Sequence, residues 1–255
     1  MMNRFLLIYS ILLCSIYSYA TESFDSSNIL DTIARDYRNF YSSPVCWQFG
    51  AGMGIAGIFA NTTGDGKIQD WYQSDLRNSR TDNFAKYVKP FGNGRWTLPI
   101  YVGAALLDLF SLENEPLYLL SNWGKMSLRA ILVGAPPMLV LQKALGASRP
   151  YEATSKWRPF ADNNAVSGHA FMGAIPFMTA AKLSDNNALK SFFYICSSLT
   201  AISRINDHKH YFSQSLLGWW IAFLSVRSLN SKENRNNFAL SPAADGFIIH
   251  FSMTF

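Results

Sequence analysis

Hydrophobic residues are concentrated in five stretches of the chain, at residues 97–112, 127–145, 168–182, 190–203 and 214–229. Most of these stretches are shorter than the run of about 20 apolar residues that a membrane-spanning helix needs. The first contains Asp108, and Pro136 and Pro137 interrupt the second. The mean hydropathy of +0.04 is also low for a chain with most of its mass in lipid. We therefore predict an all-α fold, in which a compact bundle of about six or more helices buries these stretches.

A weaker pattern precedes the apolar stretches, in residues 21–46. Its apolar positions recur with a period near 3.6, which predicts a peripheral amphipathic helix that includes Ile29, Leu30, Ile33, Tyr37 and Phe40. We find no break in composition that would require a second domain. We assign residues 21–240 to a single helical domain.

The end of the chain has a different pattern, in which apolar residues alternate with others at Phe247, Ile249, Phe251, Met253 and Phe255. A period of two predicts one short extended strand. A terminal aromatic strand is also typical of outer-membrane barrels, but the chain has no other segment that resembles a barrel strand. Residues 241–255 are therefore predicted to be an extended tail that packs on the helical domain.

The first twenty residues resemble a secretory signal peptide, with a cation at Arg4, an apolar run over residues 5–17 and small residues at Ser18 and Ala20. Cleavage after Ala20 would place the protein in the periplasm or the cell envelope. An uncleaved amino-terminal anchor is the alternative, and it would leave the protein bound to the membrane. The 15% aromatic content and seven tryptophans would suit contact with a membrane surface, although a large core explains them equally well.

Charge and cysteine content narrow the classes of partner. The net charge of +5 favours anionic partners such as phosphate esters or acidic lipid head groups. The cations are scattered and form no basic stripe, so nucleic acid is not an expected partner.

The spacing of cysteine and histidine does not resemble a zinc site. Cys46 and Cys196 could form a disulfide after export or remain two free thiols, and the sequence leaves both alternatives open.

Three short segments combine basic residues, histidines and small polar residues at the edges of apolar stretches. They are "KALGASRP" with Lys143 and Arg149, "VSGH" with Ser167, Gly168 and His169, and "SRINDHKHYFSQ" with Arg204, His210 and Gln214. A polar turn, "SDNN", separates the two apolar stretches that lie between the second and third segments. The chain can therefore run out and back, which brings these segments together at one end of the bundle.

These residue types together suit a phosphate ester. Arg149 and Arg204 supply forked donors that match pairs of phosphoryl oxygens, and Lys143 adds a point charge. The Ser167 hydroxyl and the backbone N–H groups of Gly168 and His169, at a helix start, add further donors. Two imidazoles can divide the chemistry, since one can attack phosphorus while the other protonates the leaving oxygen.

The three segments resemble the motifs of the type 2 phosphatidic acid phosphatase superfamily, which includes lipid phosphate phosphatases, bacterial non-specific acid phosphatases and vanadium haloperoxidases. Those motifs read Lys-x6-Arg-Pro, Pro-Ser-Gly-His and Ser-Arg-x5-His-x3-Asp. The resemblance implies that His210 is the nucleophile, that His169 is the general acid, and that the phosphate is bound by Lys143, Arg149, Ser167, Gly168 and Arg204. It implies a histidine phosphatase that needs no metal and no cofactor.

The chain departs from these motifs at three positions. Gln142 occupies the register of the family's lysine, and Lys143 follows it one step, or about 100° of helix rotation, later. Val166 replaces a proline. Gln214 replaces the aspartate that would orient the nucleophilic histidine, so it can hold the imidazole by a hydrogen bond but supplies no negative charge. Asp207 is an alternative source of that charge, and His208 is expected to be a solvated loop residue.

The sequence thus predicts an exported phosphatase that hydrolyses phosphomonoester or pyrophosphate bonds of envelope lipids through a phosphohistidine. A periplasmic acid phosphatase of broad specificity and a phosphotransferase are alternative enzymes with the same site. The missing carboxylate keeps a third alternative open, in which the protein is a catalytically weakened, phosphate-binding protein of the envelope.

Overall fold

The computed structural model describes residues 29–107, 115–152, 154–229, 238–243 and 246–251. Within these ranges the chain forms nine α-helices, which confirms the prediction of an all-α bundle. They are α1 (Ile29–Phe40), α2 (Ser43–Asn61), α3 (Gly64–Trp71), α4 (Ser79–Val88), α5 (Gly94–Leu106), α6 (Glu115–Leu145), α7 (Gly168–Leu183), α8 (Asn187–Asn206) and α9 (Phe212–Ser228). A π-helical turn, Tyr72–Leu76, follows α3, and a 3₁₀ turn, Lys89–Gly92, follows α4.

The tail, for which the sequence predicts one strand, contains two paired strands in its described part. Strand β1 (Phe238–Ala243) runs antiparallel to β2 (Gly246–Phe251), with Phe238 opposite Phe251 and Ala243 opposite Gly246. Residues 252–255 and the predicted signal peptide at residues 1–20 lie outside the described residues.

Helix α7 lies at the centre of the bundle and is buried on nearly all sides. One face meets α6 and α9 in a cluster that includes Met126, Phe171, Ile175, Leu217 and Ile221. Another face meets α5, α6 and α8 in a second cluster that includes Tyr101, Trp123, Phe177 and Phe193. Because α7 is surrounded by three or more helices, burial of apolar surface fixes the direction in which its first residues point.

Helix α6 continues through Pro136 and Pro137, where the sequence suggests an interruption. A proline has no N–H group, so Pro136 leaves the carbonyl of Leu132 without its usual partner in the helix. The Tyr37 hydroxyl, on α1, donates a hydrogen bond of 2.6 Å to that carbonyl. The helix persists because a neighbouring helix satisfies one of the freed acceptors. Among the described residues, Pro116–Leu145 is the one helix long and apolar enough to cross a membrane.

Helix α1 is the predicted amphipathic helix, and it is held to α6 by a buried ion pair. Arg129 donates two hydrogen bonds to the Asp36 carboxylate, at 2.6 and 2.7 Å, and both residues are at most 3% exposed. Each oxygen of the buried carboxylate accepts one of these bonds, so both acceptors are satisfied. Cys46, on α2, and Cys196, on α8, are free thiols in this structure, so the disulfide alternative is not realised in it.

Candidate functional site

The predicted site residues lie where four helices begin or end. Arg149 is in the segment after α6, and Ser167 is the N-cap of α7. Arg204 is in the last turn of α8, His210 directly precedes α9, and Gln214 is in the first turn of α9. The helices therefore bring three segments that are distant in sequence to one end of the bundle, as the turn between α7 and α8 predicts.

The start of α7 is rigidly held. The buried Ser167 side chain accepts a hydrogen bond of 3.3 Å from the Ala170 N–H and so caps the helix. The Ser167 N–H donates to the Gln214 carbonyl at 2.9 Å, which joins the start of α7 to the start of α9. The following N–H groups stand at the positive end of the helix dipole, a favourable place for an anion.

Gly218 allows α9 to approach this helix start closely. A Cβ atom at Gly218 would lie 2.3 Å from the Ser167 carbonyl oxygen, closer than real side chains come to backbone. A glycine is therefore required here by the contact between α7 and α9.

His210 is buried and oriented by Gln214. Its Nδ1 atom lies 3.0 Å from Gln214 Oε1, and the same oxygen accepts a hydrogen bond of 3.1 Å from the Tyr211 N–H. The Gln214 amide nitrogen donates to the Ser148 carbonyl at 2.7 Å, which fixes the orientation of the amide. Since Gln214 presents an acceptor to Nδ1, the neutral imidazole carries its proton on Nδ1. The Nε2 atom is then left with a free electron pair, as a nucleophile requires.

Burial and positive charge lower the pKa of both candidate histidines from the ordinary value of 6.5. The pKa of His210 is lowered to about 3, mainly by burial and in smaller part by Arg204, Arg149 and His169, while its hydrogen bond to Gln214 raises it. The pKa of His169 is lowered to about 4, mainly by burial and in smaller part by the charges of Arg204, Lys89 and Arg149. Both imidazoles therefore lie within electrostatic range of the same two arginine side chains.

The two arginines are held in different ways. Arg149 Nε donates to Asn164 Oδ1 at 2.7 Å, and its Nη1 donates to the Tyr151 hydroxyl at 2.6 Å. Arg204 is 7% exposed, and its Nη1 lies 3.7 Å from Asp207 Oδ2. Among the described residues, the buried Arg204 Nε has no hydrogen-bond partner. A buried guanidinium N–H without a partner is costly, and a phosphate oxygen would satisfy it.

Two predicted residues are placed differently from the motif. The Gln142 amide donates to the Val166 carbonyl at 2.9 Å, so the residue in the lysine register faces the start of α7. Lys143 is exposed. The charged side chains that shift the pKa of His169 are Arg204, Lys89, Arg149 and Asp207. The role of Lys143 in phosphate binding stays a prediction.

Asp207 and His208 are also placed differently from their expected roles. Asp207 lies against Arg204 and Lys89, so the alternative in which it orients His210 has no support in this geometry. His208 has a positive φ of 55° and is half-buried, with its Nδ1 atom 2.9 Å from the Gln69 amide nitrogen. It is therefore a structural contact to α3 and not a solvated loop residue.

Several residues beside the site have no signal in the sequence. Tyr151 receives the Arg149 hydrogen bond, and the Lys209 ammonium lies 4.5 Å from the centre of its ring. Asn164, which binds Arg149, is itself held by Asp162. These residues match none of the three motifs, because only the fold brings their side chains close to Arg149.

An all-α bundle with two imidazoles and two guanidinium groups at its helix ends defines a candidate hydrolase of phosphorylated compounds. The comparison with protein families agrees: residues 123–237 match the family model of the PAP2 superfamily, which supports the resemblance to the type 2 phosphatidic acid phosphatases. The superfamily includes phosphatases, so the match suggests phosphatase activity on phosphate esters. Neither the curated proteins nor the solved structures include a significant match to the chain.

Proposed function

We propose that this protein is a metal-independent phosphatase that hydrolyses phosphomonoester or pyrophosphate bonds of envelope lipids through a phosphohistidine on His210. The observation that carries the proposal is the arrangement of His210. Its buried imidazole is held at Nδ1 by Gln214 while Arg204, Arg149 and His169 act on it electrostatically. A nucleophile with a fixed tautomer beside two guanidinium groups is what attack on a phosphate needs.

The phosphate is bound by donors from each segment. Arg149 and Arg204 contact the phosphoryl oxygens, with the unpartnered Arg204 Nε among the donors. The Ser167 hydroxyl and the N–H groups of Gly168 and His169 bind from the start of α7, where the helix dipole is favourable. These groups neutralise the charge that spreads over the phosphoryl oxygens in the transition state.

Hydrolysis proceeds in two displacements. In the first, His210 Nε2 forms a bond to phosphorus as the P–O bond to the leaving group breaks, and His169 gives its proton to the leaving oxygen. In the second, the neutral His169 takes a proton from water as the water oxygen attacks phosphorus. The N–P bond then breaks, which releases phosphate and restores His210.

The low pKa of His169 is compatible with its role as an acid. Positive charges from Arg204, Lys89 and Arg149 contribute to the lowering. A bound phosphate monoester brings up to about two negative charges to the same volume, which offsets these cations and raises the pKa of His169 in the complex. The substrate therefore favours the protonated form that the first displacement consumes.

The surface of the bundle favours a lipid substrate over a small soluble ester. Large apolar side chains are exposed on α2, α5, α6 and α8, and they include Trp47, Ile58, Val102, Val140, Phe192 and Ile195. Large apolar side chains exposed on four helices suit contact with lipid. Export by the predicted signal peptide would bring this surface to the envelope.

Two histidines two residues apart provide a matched test. We expect His210→Asn to lower kcat by about 10³ or more, because the nucleophile is lost. His208→Asn should retain activity within about threefold, because asparagine tolerates the positive φ at this position. The measurement is phosphate release from phosphatidate in mixed micelles and from p-nitrophenyl phosphate.

The outcomes distinguish the alternative functions. A preference for the micellar lipid supports the proposal, and a preference for the soluble ester favours the acid phosphatase of broad specificity. Equal activity of wild type and His210→Asn would overturn the phosphohistidine mechanism. The third alternative, favoured by the absence of a carboxylate at Gln214, predicts phosphate binding without release from either substrate.

A further inference from the structure

The 3₁₀ turn Lys89–Gly92 packs directly on the start of α7. A Cβ atom at Gly92 would lie 2.5 Å from the His169 carbonyl oxygen and 3.0 Å from the His169 Cα atom. The Thr200 hydroxyl on α8 donates to the Val88 carbonyl at 3.3 Å and holds the beginning of the turn. A segment far from the three motifs is thereby fixed beside the general acid.

The Lys89 side chain extends from this turn to the arginine of the third motif. Its Nζ atom lies 3.5 Å from Asp207 Oδ2, and Arg204 Nη1 lies 3.7 Å from the same oxygen. One carboxylate oxygen therefore holds two cations close together. The Lys89 charge also acts on His169, so the ammonium is near the imidazole as well as the guanidinium.

The motif position that should provide this charge does not do so in the described structure. Gln142, in the lysine register, is neutral and donates to the Val166 carbonyl, and Lys143 is exposed. We propose that Lys89 is the third cation of the phosphate site and contacts the phosphoryl group together with Arg204. The inference rests on the proposed function and assigns part of its binding site to a residue outside the family match.

Exposure and flexibility allow Lys89 to act on a substrate. Its side chain is 49% exposed, against 8% for the Arg204 side chain, so Arg204 is fixed and Lys89 can turn. A lysine ammonium on a flexible stem binds phosphate as a point charge and needs no paired geometry. Asp207, which lies between the two cations, limits their mutual repulsion and keeps Lys89 within reach.

The test compares lysines at three places in the full-length protein. We expect Lys89→Met to weaken the binding of inorganic phosphate about tenfold or more and to raise KM for p-nitrophenyl phosphate by a similar factor, because one charge-assisted contact is lost. Lys89→Arg should recover most of the loss. Lys86→Met, an exposed lysine on α4, is the control and should stay within about twofold of wild type. Isothermal titration calorimetry measures the dissociation constant, and thermal unfolding reports the fold.

Lys143→Met decides between the two candidate lysines. A larger loss of phosphate affinity in Lys143→Met than in Lys89→Met would overturn the inference and return the role to Lys143. Loss of thermal stability in Lys89→Met with unchanged phosphate affinity would also overturn it, since Lys89 would then serve only the ion pair with Asp207. If the wild-type protein bound phosphate but showed no turnover, the proposed function would be contradicted, and the comparison of the lysine variants would still test the inference about Lys89. If it bound no phosphate, both the proposed function and the inference would be contradicted.

Discussion

At the scale of single residues, Gln214 holds the His210 imidazole by a hydrogen bond, as a carboxylate would. It lacks the negative charge that a carboxylate would also supply. Its side-chain oxygen accepts from His210 and from the Tyr211 N–H, and its amide nitrogen donates to the Ser148 carbonyl. Each polar group of this fully buried side chain is satisfied, so glutamine is stable here. Its neutral amide favours the imidazolium only through that hydrogen bond, which raises the pKa of His210, and supplies no negative charge.

Gln214→Glu separates these two effects. The added negative charge should raise the pKa of His210 from its low value of about 3, because the carboxylate favours the imidazolium. The same change should lower the free energy of unfolding by about 1–3 kcal/mol, since a carboxylate oxygen would face the Ser148 carbonyl without a proton to share. NMR titration of the imidazole and chemical denaturation measure the two quantities. A pKa of His210 that does not rise would show that this side chain exerts no electrostatic control over the proposed nucleophile.

The sequence predicts those residues of the site that belong to the three motifs, because each motif carries its own chemistry. Arg149, Ser167, His169, Arg204 and His210 come together as their spacing at helix edges predicts. Lys89 is not predictable in this way, since its position beside His169 depends on how α4 and α8 pack. Tyr151 and Asn164 are likewise identifiable only when the orientation of the Arg149 side chain is known.

At the scale of elements, the site depends on close contacts at the start of α7. Helix α9 approaches it at Gly218, and the 3₁₀ turn approaches it at Gly92. The apolar stretches predict that these helices exist, but small residues alone do not reveal which pairs meet. The continuity of α6 through its two prolines also depends on another element, because the Tyr37 hydroxyl of α1 provides one of the two missing donors.

Two glycines inside helices test the contact between α7 and α9. Gly218→Ala should destabilise the protein by about 1–3 kcal/mol, because the new Cβ atom would displace the Ser167 carbonyl and disturb the phosphate-binding turn. Gly50→Ala, on α2, has no atom within 4 Å of the new Cβ and should stabilise by about 0.5–1 kcal/mol through helix propensity. Chemical denaturation gives both values. If the two variants shifted stability in the same direction by equal amounts, the tight contact at Gly218 would be refuted.

At the scale of the whole molecule, the site opposes folding in acid. His169 and His210 have pKa values of about 4 and about 3 in the folded protein, against an ordinary value of 6.5. Between these values the unfolded chain binds more protons than the folded one, so protonation favours unfolding. The stability that the two neutral histidines contribute is fully present above pH 6.5, and it is lost as the pH falls toward their folded values.

We expect the free energy of unfolding to fall by up to about 2.7 kcal/mol per pH unit between pH 6 and 4.5 from these two groups, at about 1.36 kcal/mol for each proton. His169→Asn should reduce this slope, because one of the two titrating imidazoles is removed. His208→Asn is the control for loss of a histidine outside the site. Urea denaturation across this pH range measures the slopes, and identical slopes for wild type and His169→Asn would contradict the low pKa of His169.

The hydrogen bond from the Ser167 N–H to the Gln214 carbonyl has a consequence for motion. It joins the backbone of the proposed anion-binding turn to the backbone of Gln214, which holds His210. Displacement of one segment is therefore coupled to displacement of the other. The exposed side chains of Tyr151 and Lys89 can change rotamer without breaking this hydrogen bond.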